Sequence, residues 1–217
     1  MDDRDDRTPP ERRPTAATRP PRRTRPPHTE DPDADLVELL ARGEIRPVLD
    51  ELMRRHGGEV YRFCREALHD GVLADDVHQQ IFIAVFEDLH RFRGRSTLRA
   101  WLFGIARHRV LDAAKARRRA HAKIDDADPL EVPDITLAPG TRLDDAQLTE
   151  ILIECLRELD DDVLTALLLR FQQGFSFEEM APLCGEKAGT LHARVARALP
   201  LLRARIERRI GRARRAG

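Results

Sequence analysis

Aromatic residues make up only 5% of this 217-residue chain, with one Trp and one Tyr, so any core must be built mainly from aliphatic side chains. Cysteine is scarcer still: Cys64, Cys155 and Cys184 are far apart and odd in number. No CxxC or Cys/His spacing suggests zinc, and no disulfide framework is implied, so free buried thiols in a reducing cytoplasm are expected, with no metal. No apolar run approaches the roughly 18 residues that a membrane span needs. The N-terminal residues are charged but lack the apolar stretch of a secretory signal. Strand-type alternation is missing throughout. So are a phosphate loop, an HExxH pair and a Gly-rich dinucleotide turn. Gly174-Phe175-Ser176-Phe177-Glu178 begins like a nucleophile elbow, but Glu178 stands where a second Gly is required. These gaps leave no catalytic residue and no cofactor to assign, and they favour a non-enzymatic reading.

What the chain has in abundance is charge, at 35% of residues and a mean hydropathy of −0.52. The formal net charge is zero, with 38 basic and 38 acidic residues, yet the signs are segregated. From Arg91 to Lys123 there are eleven Lys/Arg against a single acid, Asp112. From Ile124 to Val163 thirteen acids face two Arg, and from Glu186 to Gly217 ten cations face two acids. Basic blocks suit phosphate and acidic blocks repel it, so two basic blocks on helical motifs point to nucleic acid.

Residues 1–33 mix Asp, Arg and Pro with almost nothing to bury, and are expected to form a disordered tail. Helical periodicity then starts. Leu36, Leu39 and Leu40 mark a short helix ended by Gly43. Val48, Leu52, Val60, Phe63 and Leu68 mark a longer one, with an interruption expected at Gly57-Gly58. On the stretch from Leu73 to Leu89, Val77, Ile81 and Val85 form one stripe, and Phe82, Phe86 and Leu89 a neighbouring one. A further helix is expected from Ser96, as N-cap, through Trp101, Leu102, Ile105 and Val110. The pattern dissolves between about Ala120 and Thr141, where Pro129, Pro133, Pro139 and Gly140 punctuate an acidic run. It resumes with Leu148, Ile151, Leu152, Cys155 and Leu156, followed by Leu164, Leu167, Leu168 and Phe171. A short helix from Ser176 to Leu183, a turn at Cys184-Gly185 and a helix from about Lys187 make a helix-turn-helix. The aromatics fall into one group between Tyr61 and Phe103 and a second at Phe171, Phe175 and Phe177, which favours two small cores over one.

Laid out in this order, the chain resembles the extracytoplasmic-function sigma factors of the sigma-70 family, which carry only regions 2 and 4. Ala74-Asp75-Asp76-Val77-His78-Gln79-Gln80-Ile81-Phe82 resembles region 2.2. Phe92-Arg93-Gly94 through Ala106-Arg107, with Leu111-Asp112-Ala113 after it, resembles regions 2.3 and 2.4. Leu167-Leu168-Leu169-Arg170-Phe171 followed by Gly174-Phe175-Ser176-Phe177-Glu178-Glu179-Met180-Ala181 resembles region 4. The resemblance implies an all-α fold of two small helical domains joined by a flexible acidic linker. The expected bounds are a tail at 1–33, region 2 at 34–119, the linker at 120–143, region 4 at 144–210 and a basic tail at 211–217.

The resemblance also implies roles. Asp75, Asp76, Gln79, Gln80, Ile83 and Glu87 are expected to bind the clamp helices of the RNA polymerase largest subunit, and Ile83 on a polar face suits a docking surface. Arg93, Arg95, Ser96, Arg99, Arg107 and Arg109 are the candidate contacts to the minus-ten element, where cations beside aromatics suit single-stranded DNA. Trp101 and Phe103 are expected to pack in the core rather than stack on bases. Lys187, Thr190, His192, Arg194 and Arg197 are the candidate contacts to the minus-thirty-five element. The polymerase flap, promoter DNA and an anti-sigma protein are the further expected partners, in the cytoplasm and away from membranes. Two departures bear on specificity: Glu186 and Lys187 stand where the family has an apolar residue and Ser, and Pro200 predicts a kink or restart near Leu199. Two rival readings remain at this level. One is a helix-turn-helix regulator binding duplex DNA by itself; the other is a sigma-like adaptor that binds proteins only.

Overall fold

The computed structural model describes residues 31–124 and 145–215, which from Pro32 onward form one compact unit. Most of the expected tail and linker therefore lies outside the described residues. Among these residues every regular element is helical. The fold is all-α, with α1–α4 and α5–α8 as its two helical parts.

Order begins earlier than the sequence suggests. Asp33, assigned above to the tail, is fully buried, because its carboxylate lies 2.9 Å from His56 Nε2 and 3.3 Å from the Arg55 guanidinium. That anchor starts α1 (Ala34–Ala41), and Gly43 at φ +80° turns the chain into α2 (Ile45–Leu68). Gly57-Gly58 does not interrupt α2. Val48, Leu52, Val60, Phe63, Cys64 and Leu68 form a continuous buried stripe on both sides of it, and that packing offsets the roughly 1 kcal/mol that each mid-helix Gly costs. His69, in the left-handed region at φ +54°, closes α2.

Asp70 then caps α3 (Gly71–Asp88) by accepting from the Leu73 amide. Ala74, Val77, Ile81, Phe82 and Val85 turn inward. Phe86 does not, being 47% exposed, so the second expected stripe is corrected to Phe82 and Leu89. A short 3-10 turn (Leu89–Arg91) leads to α4 (Leu98–Ile124). Thr97 rather than Ser96 caps α4: its hydroxyl accepts from the Ala100 amide at 3.1 Å, whereas the Ser96 hydroxyl donates to the Thr97 carbonyl.

In the second part, α5 (Asp145–Arg157) packs along α8, and α6 (Asp161–Leu167) runs into a π-helical turn at Leu168–Gln172. The turn swings Phe171 outward, 61% exposed, against the inward position its spacing suggested. Gly174 at φ +77° then leads to α7 (Phe177–Cys184) and α8 (Ala188–Arg215). Neither Pro200 nor the Arg-rich end breaks α8, so the expected restart at Leu199 is corrected and the basic end is helical as far as Arg215. Arg205 and Arg209 pair with Glu154 and Glu158 on α5, which holds the distal turns helical.

The two parts share one core. Phe103 on α4 meets Phe63 edge to face at 5.8 Å and Phe175, which precedes α7, at 5.4 Å. The expectation of separate aromatic cores is corrected, since residues from Leu36 to Val195 form a single buried cluster. A smaller cluster of Ile151, Cys155 and Leu202 joins α5 to α8.

Candidate nucleic-acid and protein-docking interfaces

The buried side of α3 fixes what its other side presents. At about 100° per residue, Val72, Asp76, Gln79, Gln80, Phe86 and Glu87 all fall within about 60° of Ile83. They are all exposed, and Asp75 borders them. Ile83 is 58% and Val72 76% exposed. The structure thus brings the six expected docking residues onto one face and adds Val72 and Phe86 to it. The helical period alone could have found Phe86, three residues after Ile83.

The loop before α4 turns at Gly94, φ +66°, and leaves Arg93 and Arg95 exposed and Ser96 half-buried. Trp101 is half-buried against Phe92 at 5.7 Å, and Phe103 is fully buried, as expected. Ser96, Trp101 and Arg109 line a groove of about 560 Å³ that Pro182 and Leu183 of α7 close from the far side.

Two cations of α4, Arg99 and Arg107, are covered. Arg99 donates to Glu59 Oε2 at 3.1 Å and to the carbonyl and side-chain oxygens of Gln173 at 3.1 and 3.2 Å. Its guanidinium also lies 5.0 Å from the Phe103 ring centre and 4.5 Å from that of Phe175. Arg107 is 8% exposed and donates to Asp162 at 2.6 Å, with Glu186 4.0 Å away. Beyond it Arg118 pairs with Asp161 at 2.6 Å. Of the expected minus-ten contacts, Arg93, Arg95 and Arg109 are open to a ligand, whereas Arg99 and Arg107 are engaged by the second part of the chain. Sequence reasoning missed Glu59, Asp162 and Gln173, whose separations of 40, 55 and 74 residues from their partners leave no local signal.

The helix-turn-helix is built as its sequence suggests. The Ser176 hydroxyl accepts from the Glu179 amide while the Glu179 carboxylate accepts from the Ser176 amide, a complete capping box. Gly185 at φ +65° makes the tight turn. Leu191, Val195, Ala198 and Leu202 are buried, and Lys187, Thr190, His192 and Arg197 stay exposed. The His192 ring stands edge-on to Phe177 at 5.2 Å, on the flank of α8. Arg194 is half-buried because Glu186 accepts both of its terminal N–H groups at 2.7 Å, which also raises its pKa. The Glu186 departure noted above is thus tied to Arg194, one of the expected minus-thirty-five contacts.

Burial pushes Cys64 up to about 12 and Cys184 upward as well, keeping both protonated. Among the described residues no cluster of His, Cys, Asp or Glu could hold a metal ion, and no helix is long and apolar enough to cross a membrane.

Comparison with known proteins gives this geometry a context. The family model for Sigma-70 region 2 matches residues 52–120, and that for Sigma-70, region 4 matches residues 149–202. The RNA polymerase sigma-H factor of Pseudomonas aeruginosa is 30% identical over 178 residues, covering 78% of this chain and 91% of that protein. The ECF RNA polymerase sigma factor SigC of Mycobacterium tuberculosis is 34% identical over 170 residues, covering 77% and 87%. Among solved structures, CnrH in complex with the cytosolic domain of CnrY has a similar fold, with a TM-score of 0.59 at 23% identity, covering 81% of this chain and 97% of that one. The sigma factor RpoE of Bartonella quintana, solved with the anti-sigma factor NepR, aligns at a TM-score of 0.52 and 25% identity, covering 82% and 98%.

Proposed function

This chain belongs to the extracytoplasmic-function sigma factors of the sigma-70 family, and from that membership we propose how its surfaces divide the work of transcription initiation. An RNA polymerase sigma factor partners core polymerase and promoter DNA and has no catalytic site of its own. A regulator acting alone on duplex DNA would have no use for region 2, which removes that rival. The chain works in the cytoplasm, where the polymerase is. Helices α1–α4 serve as region 2 and α5–α8 as region 4.

The α3 face docks region 2 on the clamp helices of the polymerase largest subunit. Its exposed Ile83 and Phe86 supply apolar anchors, and Asp75, Asp76, Gln79, Gln80 and Glu87 form the polar rim that sets register. Region 4 meets the flap. The loop at 92–97 and the start of α4 take the minus-ten strand. Extruding a base costs a few kcal/mol, and stacking on a ring returns about 1–3 kcal/mol per base. Phe92 is the half-buried ring next to the loop, while Arg93, Arg95 and Arg109 meet phosphates. Lys187 and, on α8, Thr190, Arg194 and Arg197 enter the major groove of the minus-thirty-five element, with His192 at its edge.

The observation that carries this reading is the pairing of one exposed mixed apolar and acidic face on α3 with two separate cationic faces, on α4 and α8, in a chain that matches both family regions. The test is promoter-directed transcription with purified core polymerase. The protein should co-purify with core and give a transcript starting at a fixed position on a promoter from its own genome. Failure of both would overturn the reading and revive the protein-only adaptor. An anti-sigma protein is the natural partner to seek by co-purification.

A further inference from the structure

Glu186 is fixed in place before α8 begins. Its amide donates to the Ala181 carbonyl at 3.1 Å across the turn, and Gly185 at φ +65° sets the direction of the chain. From that base the carboxylate reaches along α8 and accepts one N–H from each terminal nitrogen of Arg194 at 2.7 Å. Both side chains are only 24% exposed, so the fork is shielded in a way that a surface ion pair is not. At about 100° per residue, the exposed Thr190 and Arg197 lie within about 60° of Arg194, which places the fork on the expected reading face.

A guanidinium has five N–H groups in a rigid plane. Glu186 takes up two of them end-on. The edge formed by Nε and its neighbouring Nη finds no acceptor among the described residues. Two parallel donors on one edge match guanine, which presents O6 and N7 to the major groove; adenine pairs an acceptor with a donor there, and neither pyrimidine offers two acceptors. Charge points the same way. An arginine already balanced by a carboxylate at 2.7 Å has little to gain from a phosphate. What it keeps is direction.

We propose, on the assignment of α8 to the minus-thirty-five element, that Glu186 is a positioning residue that aims Arg194 at a single guanine of that element. Without the carboxylate, Arg194 would move among rotamers and reach phosphates as readily as bases. Held by it, the guanidinium is ordered before DNA arrives. Affinity for DNA in general is thereby exchanged for discrimination at one base pair.

The test reads base preference rather than affinity alone. Holoenzyme formed from the full chain and core polymerase is titrated with duplexes carrying a promoter from its own genome, each minus-thirty-five base pair being changed in turn to the other three. The wild type should prefer guanine at one position by at least about fivefold. Arg194→Lys keeps the charge but loses the paired donors, and should lose the preference at that position. Glu186→Ala should lose it at the same position, keep the preferences elsewhere, and bind DNA lacking the element more tightly. Glu186→Gln, close in shape but offering one oxygen where the carboxylate offers two, should fall between the wild type and Glu186→Ala there. Wild-type selectivity in any of the three variants overturns the proposal. So does a wild type without a guanine preference, or a preference that fades at every position together, as a merely structural role would produce. Circular dichroism and co-purification with core show whether each variant is folded, and Glu186→Gln decides the matter if Glu186→Ala is not. Failure of the sigma reading would look different, because the unmodified protein would then give no core-dependent binding to any promoter duplex.

Discussion

Phe103 of α4 and Phe175 at the start of the helix-turn-helix meet edge to face at 5.4 Å, 0% and 2% exposed. Each ring would meet water if the two parts of the chain separated, so this contact makes a stability unit of what the sequence divides. The described part should unfold in a single cooperative transition. Phe175→Ala should destabilise it by about 3–5 kcal/mol, read from urea denaturation followed by circular dichroism. Two resolved transitions would show that the shared core does not couple the two parts.

Asp76→Arg with Gln80→Arg should abolish co-purification with core polymerase while leaving the helical circular dichroism unchanged, since both side chains are exposed. Phe86→Ala should weaken core binding by about 1–2 kcal/mol, measured by titration of labelled protein. It should cost little stability, because nearly half of the ring is already in water.

Arg194→Ala should reduce affinity for the minus-thirty-five element by about 1–3 kcal/mol and leave core affinity unchanged. Removing the guanidinium also frees Glu186 to face the phosphates. Glu186→Gln should therefore act in the opposite direction, tightening DNA binding. Holoenzyme footprinting on a duplex across a salt series reads both effects.

His69 is neutral in the fold. Burial, with help from the nearby Arg157 and Arg117, lowers its pKa from 6.5 to about 4. Below pH 6.5 the unfolded chain takes up a proton that the folded chain refuses, so stability falls as pH drops from 6.5 towards 4. The slope from this group is at most about 1.4 kcal/mol per pH unit. His69→Asn, which tolerates the left-handed backbone, should make the urea midpoint less dependent on pH across that window.

Pro200 lies in the middle of α8, where it removes the hydrogen bond to the Ala196 carbonyl. Pro200→Ala should raise the melting temperature, with a gain of up to about 3 kcal/mol in helix stability. Its side chain is exposed, so nothing in the core opposes the change.

Periodicity and capping chemistry made much of this architecture readable in advance. Ser176 with Glu179, the turn at Gly185 and the stripe Leu191, Val195, Ala198 and Leu202 stand where the sequence placed them. Errors arose where long-range packing overrode a local signal. Gly57-Gly58 stays helical because both flanks of α2 are buried, and the distal turns of α8 are held by α5 from about fifty residues away. Phe171 was misplaced because a π turn shifts the register, which a period of 3.6 does not foresee. The exposed candidate residues on α3 and α8 were legible because one helix carries each set. The cover over Arg99 and Arg107 was not, since it comes from the other half of the chain.

At about 1.5 Å per residue, the 28 residues of α8 make a rod of roughly 42 Å. Its first turns carry Thr190 and Arg194, with Lys187 just before them, and its distal turns are bolted to α5 through Arg205 and Arg209. On the proposed assignment, reading and holding are thereby placed on separate stretches of one rigid body. Substitutions among the exposed residues between 187 and 197 can alter which bases are preferred without loosening the mount. An insertion between the two stretches would instead rotate every reading residue by about 100° per added residue. On the proposed assignment, promoter preference is therefore free to drift by point substitution and closed to change by length.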